Sequence, residues 1–358
     1  MLRNLMLAAL VLLGGCAKWV PPTLQPDNVV PYTTEDGWEI DLRHYPGEGP
    51  PVLLVHGMGA NHYNWDYREE VSLAYYLQQE GWDVWVPELR GDPGSRPPSK
   101  RAPKQFTFDD HALQDIPAAL DVVQAITGEE QIYWVGHSMG GMLLYTALSR
   151  YPERIRAGVA VCSPTEFESL TGLHRKLRGL GWAMKGRGRI KSRFFASLGA
   201  PLGRANPLYG RLANRDNLEW PVANGMSRYA LVDLPKPVVH QVTTWLKSGE
   251  LLTVEGEPWL VPADVPILVM GGSVDRVVPE PNVAAACDLF PNCTYRQLGV
   301  EGGFSVDYGH IDPVMGRTAR TEVYPVIEAF LSEHVDQGDG AVSHSPCSAS
   351  SWWKTTRT

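Results

Sequence analysis

A serine between glycines is the first feature of the sequence that could do chemistry. In "IYWVGHSMGG", Ser138 follows a run of apolar and aromatic residues and precedes a helical pattern. The spacing G-x-S-x-G at a strand-to-helix turn is typical of a nucleophilic serine on a tight, strained turn. Gly136 and Gly140 would remove side chains that collide where strand and helix approach. We therefore predict a nucleophile at Ser138; the alternative is a glycine-rich turn with an incidental serine.

A base and an orienting acid follow this serine in the chain. A serine hydroxyl is a poor nucleophile unless a base takes its proton, and the base must itself be oriented. His310 lies in "DYGHIDP", before the last helical pattern, and Asp275 lies in "GGSVDRVVP", just past an apolar run. The order Ser, Asp, His is known for serines on such turns. We predict His310 as the base and Asp275 as the acid, with Asp264 and Glu166 as substitutes for the acid.

Acyl transfer also needs donors for the oxyanion of the tetrahedral intermediate. The backbone N–H of Met139, next to the serine, should be one donor. The N–H of Met58, in the loop "HGMG" after another apolar run, should be the other, because the glycines let that backbone approach the substrate. We expect the side chain of His56 to brace this loop. We expect no metal and no cofactor, since "GMGANH" lacks the G-x-G-x-x-G spacing of dinucleotide-binding loops.

Short apolar runs alternate with helical patterns and would position these residues. The runs are "PVLLVHG", "DVWVPEL", "IYWVGHS", "AGVAVCS" and "PILVMGG". Such alternation predicts an α/β fold with a mostly parallel central sheet covered by helices on both faces. The segment "WEIDLRHYP" predicts a first hairpin strand, and the pattern from about residue 313 to 334 predicts a closing helix.

The alternation breaks between about residues 165 and 262. An insertion there would lie above the C-terminal ends of the strands, where open α/β sheets hold their ligands, so we predict a cap. Its residues 171–215 carry eleven Lys and Arg and no Asp or Glu. This segment is either a solvated face or a surface that meets an anionic membrane. The whole-chain charge of -8 argues against nucleic acid as a partner.

The two ends of the chain have their own patterns. Residues 1–15 have a basic start and an apolar run shorter than the roughly 20 residues of a spanning helix, which predicts an export signal. The string "LGGC" resembles the lipobox of bacterial lipoproteins. That resemblance implies lipidation of Cys16, membrane anchoring and, with Ala17 next, the outer membrane; the alternative is a plain signal peptide with a chance cysteine. We expect residues 16–34 to form a linker and residues 336–358 a disordered tail.

Export bears on the other cysteines, because an oxidising compartment permits disulfides. Cys287 and Cys293 lie where a helical pattern ends and a strand begins. A local disulfide and two free buried thiols are both compatible with this spacing. Cys162 lies in an apolar run, so we expect it to pack in the core.

The motifs together resemble the α/β-hydrolase superfamily. The likeness rests on "HGMG", "GHSMGG", "GGSVD" and "YGHID", across about residues 50–165 and 265–332. Three stretches are similar to the acid lipase group of gastric and lysosomal lipases. They are "LAYYLQQEGWDVWVPELRG", "FTFDDHALQDIPAALDVVQAITGEEQIYWVGHS" and "DYGHIDPVMG". The resemblance implies a hydrolase domain over residues 35–335 and the same roles for Ser138, Asp275, His310, Met58 and Met139.

The turn that carries Ser138 ends in "MGG", as in many bacterial esterases, and the insertion aligns with no part of the family. The expected function is a serine ester hydrolase, a carboxylesterase or lipase, acting on small-molecule or lipid esters through an acyl-enzyme. An acyltransferase or thioesterase would use the same three residues. The alternative that is not an enzyme is a hydrolase-like lipoprotein that only binds a partner.

Overall fold

The computed structural model describes residues 19–100, 105–168, 172–179, 181–199 and 209–335. A nine-stranded sheet lies at its centre. Its strands are β1 (Asn28–Thr33), β2 (Glu39–Tyr45), β3 (Pro51–Val55), β4 (Asp83–Pro87), β5 (Ser95–Arg96), β6 (Ile132–His137), β7 (Ile155–Val161), β10 (Ile267–Gly272) and β11 (Cys293–Leu298). A separate pair, β8 (Arg189–Ile190) and β9 (Leu234–Pro235), is antiparallel.

The sheet is mostly parallel. Its order is β1-β2-β4-β3-β6-β7-β10-β11, and β5 pairs with β2. The pairs from β4 to β11 are parallel, and β1 and β2 run antiparallel at one edge. All residues of β3, β4, β6 and β10 are buried, as expected for central strands covered on both faces. The predicted strands and the predicted α/β fold are confirmed.

Helices cover both faces of the sheet. The sheet therefore divides the apolar core into two large clusters, one on each face. Successive residues of one strand alternate between the clusters, as Leu53 and Leu54 of β3 do. The helices outside the insertion are α1 (Leu73–Gln79), α2 (Ile116–Thr127), α3 (Met139–Arg150), α10 (Glu280–Ala284), α11 (Ala286–Leu289), α12 (Asp312–Met315) and α13 (Tyr324–Ser332). A helical turn, Phe108–Asp110, and a wider π-type turn, His111–Asp115, lead into α2.

Two sequence predictions need correction. The segment predicted as a linker, residues 16–34, contains strand β1, because the turn after Thr33 brings "NVVPYT" beside β2 in a regular antiparallel register. The predicted closing helix is broken, because Gly316 has an extended backbone and a π-type turn, Ala319–Val323, precedes α13. The predicted hairpin strand is confirmed as β2.

The insertion is mainly helical in its described parts. Its helices are α4 (Gly172–Gly179), α5 (Gly181–Met184), α6 (Ser192–Gly199), α7 (Tyr209–Leu212), α8 (Trp220–Tyr229) and α9 (Lys236–Ser248). The segment before α9 crosses the loop after β3: the N–H of Val232 donates to the carbonyl of Gly59 at 2.9 Å. The insertion therefore lies over the C-terminal end of β3, as a cap would.

The predicted signal peptide, Cys16 and the predicted tail lie outside the described residues. Within the described residues, no helix is long and apolar enough to cross a membrane. Cys287 and Cys293 form a disulfide that joins the first turn of α11 to the start of β11. Cys162 is a free thiol buried in the core, as expected.

Candidate active site

Ser138 lies on a strained turn between β6 and α3. Its φ of 53° and ψ of -114° are unusual for a residue with a side chain. The flanking glycines make this turn possible by allowing close backbone contacts. A Cβ on Gly136 would lie 2.3 Å from the carbonyl carbon of Gly140, and one on Gly140 would lie 2.0 Å from the carbonyl oxygen of Val55. The turn pushes the half-buried serine out at the C-terminal edge of the sheet.

Asp275, His310 and Ser138 form a continuous chain of hydrogen bonds. The Oδ2 atom of Asp275 lies 2.8 Å from Nδ1 of His310, and Nε2 of His310 lies 3.0 Å from Oγ of Ser138. Because a carboxylate only accepts, the proton between Asp275 and His310 belongs on Nδ1, which leaves the Nε2 lone pair facing the serine hydroxyl. The other oxygen, Oδ1, accepts the N–H groups of Val277 and Val278 at 2.7 and 2.9 Å, which fixes the carboxylate.

The two substitute acids lie elsewhere. Asp264 is exposed just before β10 begins, whereas Asp275 follows the end of that strand. Glu166 is exposed after β7 and forms an isolated β-bridge with Glu250. The structure thus brings His310 to Asp275 and not to either alternative.

His137, for which the sequence predicted no role, holds His310 against the serine turn. Its Nε2 lies 2.9 Å from the carbonyl oxygen of His310, and its Nδ1 lies 3.1 Å from the Asn64 amide. Burial, together with the nearby His310, lowers the pKa of His137 to about 3, so the ring is neutral and donates from Nε2. Its position next to Ser138 was the only signal in the sequence, and the long-range partner was not visible there.

Asp312 fastens the same loop to the cap. Its fully buried carboxylate accepts the N–H of Gly309 at 2.9 Å, the N–H of Asn214 at 3.1 Å and the amide of Asn217 at 3.2 Å. Burial raises the pKa of Asp312 to about 6 in spite of these hydrogen bonds. The N–H of His310 also donates to the cap, at the carbonyl of Leu212, at 3.0 Å. Residues of the cap therefore help to hold His310 in place.

The loop after β3 lies directly against the serine turn. A Cβ on Gly57 would lie 3.2 Å from Cβ of Ser138, so the next residue, Met58, is near that serine. Met139 is the first residue of α3, and its N–H is one of those that a helix leaves without an intrahelical acceptor. Met58 and Met139 both line a cavity of about 20 Å³, which the cap residue Leu234 also lines. This cavity has room for about one water.

Two groups of side chains in the described part of the chain bring possible metal ligands within 4.8 Å of one another. The first group consists of Asp275, His310 and the buried thiol of Cys162. In this group, Nε2 of His310 is already hydrogen-bonded to Ser138 and Nδ1 to Asp275. The second consists of His56, Glu88 and Asp92, all buried. It lies behind the loop that carries Met58.

Comparison with known proteins agrees with the fold. Residues 50–313 match the α/β hydrolase fold family. Mouse gastric triacylglycerol lipase is 33% identical over 362 aligned positions, which cover 86% of this chain and 89% of that protein. Human gastric triacylglycerol lipase is 31% identical over 43% of each chain. Human lysosomal acid lipase/cholesteryl ester hydrolase is 35% identical over 34% of each. The matched segments thus span less than half the length of these two human relatives.

Solved structures share the fold at low identity. An esterase from Thermogutta terrifontis superposes with a TM-score of 0.59 at 20% identity, over 86% of this chain and 99% of the esterase. A bacterial membrane phospholipase A superposes with a TM-score of 0.54 at 17% identity, over 93% and 92% of the two chains. The family match covers most of the chain, and the mouse lipase matches along nearly its whole length. The chain therefore belongs to the α/β hydrolase fold family.

Proposed function

We propose that the protein is a serine ester hydrolase of the carboxylesterase or lipase type, with lipophilic acyl esters as substrates. The observation that carries the proposal is the hydrogen-bonded chain from Asp275 through His310 to Ser138, on a serine turn with a φ of 53°. The similarity to proteins named triacylglycerol lipase and cholesteryl ester hydrolase supports a lipid ester.

The geometry supports a two-step reaction. Nε2 of His310 takes the proton of Ser138 as Oγ attacks the ester carbonyl, and then passes this proton to the departing alcohol. The product of the first step is an ester of Ser138 with the acyl group. Water, activated by the same Nε2, then attacks this acyl-enzyme and releases the acid. Asp275 keeps the imidazole in the required tautomer and stabilises the imidazolium in both steps.

The N–H groups of Met58 and Met139 are the proposed oxyanion donors. Two donors that converge on the oxygen of the tetrahedral intermediate stabilise charge that is absent from the ground state, which accelerates the chemical step. The N-terminus of α3 adds a favourable field for the same negative charge.

The proposed function is tested by labelling with a fluorophosphonate probe beside a chain-length series of p-nitrophenyl esters. We expect labelling and turnover together. Labelling without ester turnover would favour an acyltransferase or thioesterase, because the acyl-enzyme would then need an acceptor other than water. Absence of both from folded protein would contradict an enzymatic function.

The cap presents a basic, partly apolar surface, which we call the basic cap surface. Trp182, Phe194 and Phe195 are 74%, 59% and 60% exposed. Lys185 and Arg187 are exposed near them in sequence. We propose that this surface meets an anionic lipid surface, because exposed aromatic groups and Lys or Arg together are typical of interfacial binding.

The vesicle prediction uses Lys185→Glu with Arg187→Glu. Arg189 and Lys191 are left unchanged, because they already bond to the carbonyl of Gly91 and to Asp233. Protein without its lipid anchor should bind anionic vesicles more tightly than zwitterionic ones in a sedimentation assay. Each basic side chain near such a surface contributes about 1 kcal/mol, so the double charge reversal should weaken binding by roughly tenfold or more.

High salt should remove the vesicle preference, because the screening length falls to about 3 Å at 1 M. Hydrolysis of short soluble esters should be unchanged in the double variant. The control is Arg150→Glu, at the end of α3 that points away from Ser138. Equal affinity for the two vesicle types at low salt would leave the basic cap surface as an ordinary solvated face.

We also propose that the protein is an exported lipoprotein, held at the membrane through Cys16. Replacement Cys16→Ser removes the only proposed lipid attachment, so the protein should move from the membrane fraction to the soluble exported fraction. Globomycin, which blocks lipoprotein signal cleavage, should cause unprocessed protein to accumulate. Membranes washed at 1 M salt remove binding through the basic cap surface, and equal fractionation of wild type and Cys16→Ser after that wash would reject lipid anchoring.

A further inference from the structure

A buried histidine lies directly behind the proposed oxyanion loop, which we define as His56–Ala60. His56 is 1% exposed and immediately precedes Gly57 and Met58. Its Nδ1 lies 3.0 Å from the carbonyl oxygen of Gly57, and its Nε2 lies 2.9 Å from Oδ2 of Asp92. Asp92, 7% exposed, comes from the loop that follows β4, the strand next to β3.

Both ring nitrogens of His56 therefore face oxygen atoms that accept protons. A carbonyl oxygen can only accept, and an ionised carboxylate can only accept. A neutral imidazole carries one N–H and would leave one of these contacts without a proton, whereas the imidazolium can donate to the Gly57 carbonyl and form an ion pair with Asp92. Burial alone would lower the pKa of His56, but the Asp92 carboxylate, the nearby Glu88 and the Gly57 carbonyl outweigh burial and raise it above its usual value.

The neighbouring groups influence the ionisation of the His56–Asp92 pair. Burial raises the pKa of Glu88 to about 7, so near neutral pH this second carboxyl is about half protonated, and the Asp92 carboxylate, 2.9 Å from Nε2, is the partner in direct contact with the imidazolium. Asp92 also accepts the N–H of Leu89 at 2.9 Å, which orients it toward His56. Among the described residues, other titratable or charged groups that act on the pair or on Glu88 are His62 from the segment after the loop, Arg43 from β2 and His137 from the serine turn; Asp66 is bonded to His62.

We propose that Asp92, through its ion pair with His56, positions the oxyanion loop against Ser138, so that Asp92 and His56 are positioning residues for the acyl-transfer step. The outer side of the loop is held by the cap, through Val232 and Gly59. The inner side is held by His56, which is bonded to the carbonyl of Gly57. That peptide also carries the N–H of Met58, so the hydrogen bond from Nδ1 orients the proposed oxyanion donor. The inference rests on the proposed function.

The kinetic test is Asp92→Asn, assayed on a short p-nitrophenyl ester. The oxyanion contact is made in the transition state, so kcat should fall while KM changes little. Removing a whole oxyanion donor costs about 10²- to 10³-fold in kcat, so a variant that only misplaces one should lose roughly 10- to 100-fold. A loss confined to KM would contradict positioning of the oxyanion loop.

The pH profile gives a readout that a merely structural role would not move. In wild type the raised pKa of His56 keeps the ring charged as pH rises, and the positioning is lost only when pH passes that raised value. Without the carboxylate, His56 should lose its proton at lower pH, so the alkaline fall in kcat should move to lower pH in Asp92→Asn. The acid limb should stay in place, because the substitution leaves Asp275, His310 and Ser138 unchanged.

Two further variants separate positioning from general stability. Asp83→Asn breaks a similar pair, in which Oδ1 of Asp83 lies 2.6 Å from Nε2 of His44, at the opposite end of β4 from Asp92. It should lower the melting temperature but leave kcat and the pH profile unchanged. Glu88→Gln keeps Asp92 and removes the neighbouring carboxyl, so it should move the alkaline limb in the same direction by a smaller amount. This variant tests the inference if Asp92→Asn does not fold.

The outcomes are distinguishable from failure of the proposed function. Wild type that neither labels nor turns over esters contradicts the function itself. Active wild type with unchanged kcat and an unmoved alkaline limb in folded Asp92→Asn and Glu88→Gln overturns the inference alone. Loss of wild-type activity on chelation, restored by Zn²⁺, would also overturn it, because His56, Glu88 and Asp92 would then be metal ligands.

Discussion

Ser138→Ala is expected to abolish ester turnover and fluorophosphonate labelling while leaving the fold intact. The oxygen that forms the acyl-enzyme is removed, and removing such a nucleophile costs on the order of 10⁴ or more in kcat. Alanine retains the Cβ, so the strained turn and its contacts with Gly136 and Gly140 are not altered. The loss of kcat is measured by steady-state kinetics on a p-nitrophenyl ester. Circular dichroism and the melting temperature are the checks on folding.

The matched control for this variant is Ser149→Ala near the other end of α3. Ser149 bonds to the backbone of Tyr145 and Val261, so its loss removes local hydrogen bonds without touching His310. It should keep full activity. Turnover at the wild-type rate by well-folded Ser138→Ala would mean that another group forms the acyl-enzyme.

Asp275→Asn should lower kcat by roughly 10⁴, the size of effect seen when the acid of a serine protease triad becomes an amide. The amide can donate a proton to Nδ1 of His310, which favours the tautomer with the proton on Nε2. That nitrogen lies 3.0 Å from Oγ of Ser138 and must be unprotonated to act as the base. The effect should appear in kcat, measured at a pH where wild type is fully active, with the melting temperature as the check on folding.

The controls for the acid are the two substitutes from the sequence. Asp264→Asn and Glu166→Gln change exposed carboxylates that do not meet His310, so neither should reduce kcat by more than about twofold, the usual scale of surface changes. A large loss in either variant, with Asp275→Asn benign, would show that the base is oriented by a different carboxylate during turnover.

Short-range sequence patterns predicted the strands that position the candidate site. Each parallel strand that leads to the site is a compact apolar run with turn residues after it, and the chemistry-bearing residues follow directly: Met58 after β3, Ser138 after β6 and Asp275 after β10. Because parallel strands end at one edge of a sheet, the pattern also predicted that these residues meet. The two glycines of the G-x-S-x-G motif also predicted the close approach of strand and helix backbones at Gly136 and Gly140.

Long-range contacts were not visible in the sequence. Strand β1 contains Pro31 and lacks clear alternation, so only its pairing with β2 reveals it as a strand. The bonds of Asp312 with Asn214 and Asn217 join segments far apart in the chain, as does the contact of His56 with Asp92. No local pattern encodes such partners, since burial and the fold of the cap decide them. The disulfide between Cys287 and Cys293 was left open because spacing alone does not set the distance between the two side chains.

The acyl-enzyme is the central claim, and peptide mapping during turnover tests it most directly. The protein would be mixed with a p-nitrophenyl ester, quenched in acid within the first turnovers, digested and analysed by mass spectrometry. We predict one acyl group on the peptide that contains Ser138, which disappears when the substrate is exhausted and is absent in Ser138→Ala. An acyl group on a different residue, or turnover with no covalent adduct under conditions that trap a control serine esterase, would contradict the account.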